Sequence, residues 1–234
     1  MPTMVRAHAI LVAGGSGSRF HSATPKQFHA VLGKPLVAHA LERLRGSGVI
    51  DRVVLVLPRD GFDEAKRAVS PYLGEDSRIE IVPGGDSRQD SMREGLSRIE
   101  PFDGLVAVHD AARAAVPPSL VARVVEAAAL DGGAIPALPV VETLKEATAD
   151  LHVVRTVPRE RLYLAQTPQC FRYDVLERAV RKAVDDGFVG TDEASLVERL
   201  GAPIRVVLGS ERNLKVTALA DLERVEYYLG QEEE

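Results

Sequence analysis

Short apolar, β-branched runs alternate with longer amphipathic stretches along most of the chain. The apolar runs are Ala9–Val12, Arg52–Leu57, Ile79–Val82, Leu105–His109, Ala134–Pro136 and Ile204–Leu208. They are short and apolar on both faces, as expected of strands covered by helices on either side. Between them Pro35–Arg45, Phe62–Ser70, Arg88–Ile99, Pro118–Leu130, Tyr173–Asp186, Asp192–Leu200 and Leu219–Leu229 show helical patterns. Glycine and proline mark junctions such as Gly46-Ser47-Gly48 and Pro83-Gly84-Gly85. This alternation predicts an α/β fold: a Rossmann-like, doubly wound, mostly parallel sheet with right-handed crossovers.

One stretch breaks the rhythm. From Val140 to Gln169 the chain is too polar and too β-branched for a core helix. Thr143–Ala147 and His152–Val157 are spaced to pair as a hairpin around Thr148-Ala149-Asp150, an arm over about 140–166 that projects from the body. Exposed strand edges invite pairing. Such an arm is either solvated or covered by a second subunit, and a homodimer through the arm is the simpler expectation. No repeat or long linker divides the chain, so residues 1–234 read as a single domain with an arm.

Composition narrows the function. The 234 residues are 45% hydrophobic, enough for a self-standing core, and not a disordered tail or a disulfide scaffold. With 29 basic and 34 acidic residues the net charge is −5, so no nucleic-acid partner is expected and any anionic ligand needs a local cation cluster. Aromatics are 5% and Trp is absent, which argues against a base-stacking platform. Cys170 is the single cysteine, which suits a reducing compartment. The start has no signal-peptide pattern and no apolar run reaches membrane-spanning length; the expectation is a cytoplasmic protein with no membrane partner.

The chemistry clusters after the predicted strands, where ligands sit in open α/β sheets. Ala13-Gly14-Gly15-Ser16-Gly17-Ser18-Arg19 follows the first one. Its glycines let the backbone turn sharply and aim several N–H groups at one point, a nest for phosphate oxygens. It is neither of two common phosphate loops: Phe20 stands where the dinucleotide fingerprint has a glycine, and no Gly-Lys-Ser/Thr follows. Arg19 and Lys26 beside the nest instead favour a polyphosphate. After the third strand, Gly84-Gly85-Asp86-Ser87-Arg88-Gln89-Asp90-Ser91 offers close backbone approach, an acceptor and a hydroxyl for a base edge. Asp86 or Ser87 serves equally well as a helix cap. Asp110, ending Val108-His109-Asp110-Ala111-Ala112-Arg113, is placed to face ribose or a Mg²⁺–triphosphate complex. Arg113 reads either as a ligand contact or as its ion-pair partner, and His109 as a structural strand residue.

These blocks resemble the nucleotidyltransferase signature of the nucleotide-diphospho-sugar transferase fold, and are most similar to the cytidylyltransferases of isoprenoid and polyol-phosphate metabolism. Glu142-Thr143-Leu144-Lys145, Thr156-Val157-Pro158-Arg159, Leu164-Ala165-Gln166-Thr167-Pro168-Gln169, Thr191-Asp192-Glu193-Ala194-Ser195 and Asn213-Leu214-Lys215-Val216-Thr217 extend the resemblance over nearly the whole chain. Departures such as Ala114 for the usual Pro and Arg161 for the usual Gly lie beside the functional positions.

The resemblance implies cytidylyl transfer from CTP to a polyol phosphate with Mg²⁺ as cofactor. The expected acceptor is 2-C-methyl-D-erythritol 4-phosphate, the rival ribitol 5-phosphate, and a non-catalytic nucleotide-binding domain is the alternative class. It further implies Arg19, Lys26, Arg159 and Lys215 as catalytic residues and Asp110 as metal ligand. Ala13, Gly14, Gly15, Gly17, Gly85, Asp86, Ser91, Asp110, Ala111, Arg113, Thr143 and Thr167 are the implied substrate contacts. Thr143 and Arg159 would hold the sugar phosphate, with the arm reaching into a partner's site.

Overall fold

A computed structural model describes residues 5–14, 25–74 and 76–231. Its strands are β1 (Ala7–Val12), β2 (Ala30–Val31), β3 (Lys34–Pro35), β4 (Ile50–Leu57), β5 (Ile79–Pro83), β6 (Leu105–Asp110), β7 (Gly133–Pro139), β8 (Leu144–Ala147), β9 (Val153–Val157), β10 (Tyr163–Ala165), β11 (Gln169–Arg172) and β12 (Arg205–Leu208). The helices are α1 (Leu36–Gly46), α2 (Phe62–Val69), α3 (Arg88–Leu96), α4 (Pro118–Asp131), α5 (Tyr173–Asp185), α6 (Glu193–Glu198) and α7 (Asp221–Gly230). All six expected strands and seven expected helices are present, with ends shifted by a few residues.

In the main sheet β5, β4, β1 and β6 run parallel side by side. β11 then enters antiparallel between β6 and β7, and β12 closes the far edge parallel to β7. The inserted β11 was not expected. Four residues behind a proline carry too short a pattern to announce a strand, yet Gln169, Cys170 and Phe171 are buried there. Burial pushes the Cys170 thiol up, so it stays a neutral core group.

Side-chain alternation along the central strands builds two cores. Ala9 and Leu11 of β1, with Val53, Leu55 and Leu57 of β4, pack with α1, α2 and α4 on one face. Ile10, Val12, Val54 and Val56 face α3, α5 and α6 on the other. Here the doubly apolar pattern of β1, β4 and β6 has its cause: these central strands are covered on both faces, whereas the edge strand β12, expected to be covered alike, leaves Val206 and Leu208 exposed. The sheet therefore holds the ends of β1 and β6 side by side, with Val12 paired to Asp110.

The hairpin forms as expected. β8 pairs antiparallel with β9, and the pair is joined to no other strand among the described residues. Thr148 closes the turn, its N–H donating to the His152 carbonyl at 2.9 Å and its hydroxyl to Asp150 at 2.5 Å. The arm ends earlier than expected, because β10 returns to pair with β7. Among the described residues, no helix is long and apolar enough to cross a membrane.

Candidate active site

The ends of β1 and β6, the short helical turn Lys26–Phe28 and the segment before α7 enclose a cavity of about 80 Å³. Val12, Ala13, Ala111 and Ala112 supply apolar walls; Lys26, Gln27, Arg88, Asp110 and Lys215 supply the polar ones. The Gln27 side chain, 2% exposed, donates to the Ala13 carbonyl at 2.6 Å and ties the turn to the end of β1. Lys26 Nζ donates to the Val216 carbonyl at 3.2 Å. Two blocks 190 residues apart in sequence thus meet.

Asp110 divides its carboxylate between two cations. Oδ1 accepts from Arg88 Nε at 2.8 Å and Oδ2 from Lys215 Nζ at 2.6 Å. Burial works against its charged form, but Arg88, Lys215 and Arg113 outweigh burial and hold the carboxyl well below the usual carboxylate range. The Arg88 guanidinium reaches further, with a two-pronged contact to Glu193 at 2.7 and 3.0 Å. Burial opposes its charge, yet Glu193 and Asp110 hold it protonated. Glu193, Arg88, Asp110 and Lys215 form one alternating line of charge that runs from a side chain 1% exposed to the cavity wall.

Behind Asp110 the polar groups are fixed. The Thr167 hydroxyl accepts from the Asp110 N–H at 3.1 Å and has one proton to give, which goes to His109 Nδ1 at 2.9 Å. His109 Nε2 therefore carries the ring proton and faces the Arg113 carbonyl at 3.3 Å. Burial pushes the His109 pKa down to about 4, which keeps the ring neutral.

The other expected contacts are placed unevenly. Gly85 N–H donates to Ser91 Oγ at 3.2 Å, and a Cβ on Gly14 or Gly84 would come within 2.8 or 2.6 Å of that same oxygen. Glycine is needed here for close approach, leaving room only for a small hydroxyl. Asp86 points outward, its side chain 92% exposed and 3.6 Å from Arg59; Ser87, not Asp86, caps α3. Arg113 does not line the cavity; its backbone N–H donates to the Asp110 carbonyl at 2.9 Å, but its side chain does not hydrogen-bond the Asp110 carboxylate. Its guanidinium donates to the carbonyls of Asn213 at 2.7 Å and Ala165 at 3.3 Å, and its charge acts on Asp110 without a direct side-chain hydrogen bond. Thr143 and Arg159 lie exposed at the base of the arm, with Arg159 donating to the Val141 carbonyl; neither lines the cavity. Gly15, Gly17 and Arg19 lie outside the described residues.

Sequence reasoning missed Arg88, Gln27 and Glu193 as site residues, although Arg88 and Glu193 sit inside the blocks it singled out and Gln27 follows Lys26 directly. Arg88 and Glu193 both stand at helix starts, where a charged residue is ordinary. Their burial is invisible from the local pattern.

An α/β sheet with lysines, an arginine and a carboxylate gathered beyond its strand ends defines a nucleotidyltransferase-type site. Comparison with known proteins agrees: the family model for 2-C-methyl-D-erythritol 4-phosphate cytidylyltransferase (IspD) matches residues 7–231. The enzyme of that name from Syntrophus aciditrophicus is 43% identical over 226 residues, 96% of each chain. The Pelotomaculum thermopropionicum enzyme is 42% identical over 219 residues, 94% of this chain and 92% of its own. The crystal structure of the Thermus thermophilus enzyme superposes with a TM-score of 0.76 at 32% identity, over 95% of this chain and 98% of that one. The chain belongs to the 2-C-methyl-D-erythritol 4-phosphate cytidylyltransferase family and is a nucleotidyltransferase.

Proposed function

We propose that the protein transfers a cytidylyl group from CTP to 2-C-methyl-D-erythritol 4-phosphate, releasing pyrophosphate and 4-diphosphocytidyl-2-C-methyl-D-erythritol. The observation that carries the reading is the division of Asp110 between Arg88 and Lys215 in the wall of a cavity that Lys26 also lines. The acceptor's phosphate oxygen forms a bond to the α-phosphorus as the bond from that phosphorus to the α–β bridging oxygen breaks, and pyrophosphate takes the electron pair. A phosphate monoester already carries most of its second negative charge at pH 7, so this oxygen needs no general base. What remains is alignment of two polyanions and neutralisation of their charge.

In this reading Lys26, with Arg19, neutralises the triphosphate and the charge that builds at the α-phosphorus. Lys215, held by Asp110, steadies the incoming phosphate, and the Thr143 and Arg159 positions reach it from the arm of a second subunit. Gly85, Asp86 and Ser91 are the residues assigned to the cytosine base in this reading. Asp110 is the one carboxylate lining the cavity among the described residues. Its oxygens keep lone pairs beyond those already engaged, which fits Mg²⁺, an ion that takes one or two carboxylates and leaves its other positions to phosphates and water. When bound, the ion supplies charge neutralisation on phosphate oxygens.

A homodimer through the arm goes with this reading. Val153, Leu164 and Leu208 expose 64%, 59% and 63% of their surface around the arm and the adjoining sheet edge, more apolar area than a lone hairpin needs. Sedimentation equilibrium tests it, and a monomer at micromolar concentration would overturn the pairing. A cytoplasmic setting goes with this reading, and the free, buried thiol of Cys170 is compatible with a reducing compartment.

The reaction is tested by pyrophosphate release with CTP, Mg²⁺ and either polyol phosphate, with ATP, GTP and UTP as controls. Release with CTP and 2-C-methyl-D-erythritol 4-phosphate is the expected result. Release with ribitol 5-phosphate alone would reassign the acceptor. CTP binding in a calorimeter without release would make the chain a sensor.

A further inference from the structure

We infer that Glu193, remote from the cavity, is a positioning residue for the transfer, acting through Arg88 on Asp110 and Lys215; the inference rests on the functional reading above. Glu193 does not line the cavity and is 1% exposed, so it touches no substrate. Its carboxylate spends both oxygens on Arg88, whose Nε then holds Asp110 Oδ1. A fork gripped on two sides has one orientation. The Asp110 carboxylate is turned accordingly, and its other oxygen fixes the Lys215 ammonium at 2.6 Å.

The charge balance depends on the same residue. With Glu193 the line holds two negative and two positive groups. Without it, the half-buried Arg88 has only Asp110 as a carboxylate partner, and Asp110 must answer two cations alone. The hold on Lys215 then weakens, because part of the Asp110 charge is drawn to the buried side. Arg113, the remaining cation facing Asp110, is committed to backbone carbonyls and does not replace Glu193.

The way Glu193 is held shows that its place is built. Gln169 of β11 donates to Asp192 at 2.8 Å and accepts from the Ala194 N–H at 2.8 Å, pinning the start of α6 on both sides of Glu193. Asp192 and Ser195 close a capping box around it. From the opposite direction Gln89, next to Arg88, grips the same segment, donating to the Phe188 carbonyl at 3.1 Å and accepting from the Gly190 N–H at 2.8 Å. The residues just before Arg88 are the Gly84–Ser87 loop that borders Ser91. The Arg88–Glu193 contact thus joins the base-side loop to the lysine that meets the second substrate.

The test compares wild type, Lys215→Ala and Glu193→Gln, all assayed with CTP, Mg²⁺ and 2-C-methyl-D-erythritol 4-phosphate, with thermal unfolding alongside. Glu193→Gln keeps size but removes the charge and one of the two acceptor oxygens that Arg88 uses. The expected result is a kcat lower by about 10- to 100-fold, the usual cost of removing an outer partner of a site residue. The KM for the polyol phosphate should rise while the KM for CTP stays within about twofold. Glu193→Asp, which keeps the charge on a shorter stem, should recover part of kcat; if Glu193→Gln does not fold, the same split is read from Glu193→Asp alone. Wild-type turnover in the variants, or both KM values rising together with a fall in thermal stability, overturns the inference. An inactive wild type, or a fully active Lys215→Ala, overturns the functional reading instead.

Discussion

The line Glu193–Arg88–Asp110–Lys215 and the arm hairpin both rest on ion pairs, but the two sets have different consequences. In the arm, Arg155 meets Glu146 across the β8–β9 ladder at 2.5 Å, with side chains 61% and 49% exposed. Water screens that pair, and exposed pairs of this kind contribute little to stability. In the line, Asp110 and Glu193 lie buried at similar distances from Arg88. No solvent answers the charge of a carboxylate buried there, so the loss of its cation is felt by the rest of the line. The same chemistry is dispensable at the tip of the molecule and indispensable at its centre.

Four measurements would break or sharpen that contrast. The largest effect belongs to Arg88→Met, which leaves the buried Glu193 carboxylate without its cation and Asp110 with Lys215 alone; a loss of about 3–5 kcal/mol in urea unfolding is expected. A value near that of a surface substitution would mean the line is solvated. Next comes acid. His109 is buried neutral with its pKa down to about 4, against an ordinary 6.5, so the unfolded chain binds the extra proton between those values. Stability should therefore drop as pH falls from about 6.5 to about 4, by about 3 kcal/mol in all. His109→Asn should flatten that part of the profile; an unaltered slope would place its origin elsewhere. Asp110, held low, adds its own loss only below about pH 4, as its carboxylate is protonated.

Third is Lys26→Ala, for which about a hundredfold loss in kcat, about 2.7 kcal/mol, is expected with little change in the KM for CTP. Full turnover in the purified variant would remove Lys26 from the reaction. The smallest effect is that of Arg155→Ala in the arm, expected to change stability by less than about 1 kcal/mol. A loss comparable to that of Arg88→Met would show that the arm pair is desolvated, as it would be beneath a second subunit.

Much of the fold was legible because its causes are local. Two-sided apolar runs mark doubly covered strands, and the turn residues of Thr148-Ala149-Asp150 mark the hairpin. β10 and β11 escaped notice because three or four residues cannot display a period, and their strand character comes from the neighbours they pair with. At the site, Lys26, Asp110 and Lys215 were named from their blocks and the fold brings them to one cavity. Arg88 and Arg113 show the limit. Both lie in arginine-bearing blocks beside strand ends, yet one reaches the cavity and the other is bound to backbone.

By itself, the chain's order of residues determined the α/β layering, the arm and the chemical blocks that carry phosphate-binding groups. The layering and the arm follow from patterns within a dozen residues, where periodicity and turn chemistry act directly, while the roles of Thr143, Arg159 and Lys215 were implied only by the family resemblance. The tertiary structure alone decided which charges became a working line. Arg88 takes its direction from Glu193, 105 residues away, and Arg113 from Asn213, 100 residues away. A guanidinium in a buried setting turns toward whichever acceptors the completed fold leaves unpaired, and those acceptors come from elements far along the chain.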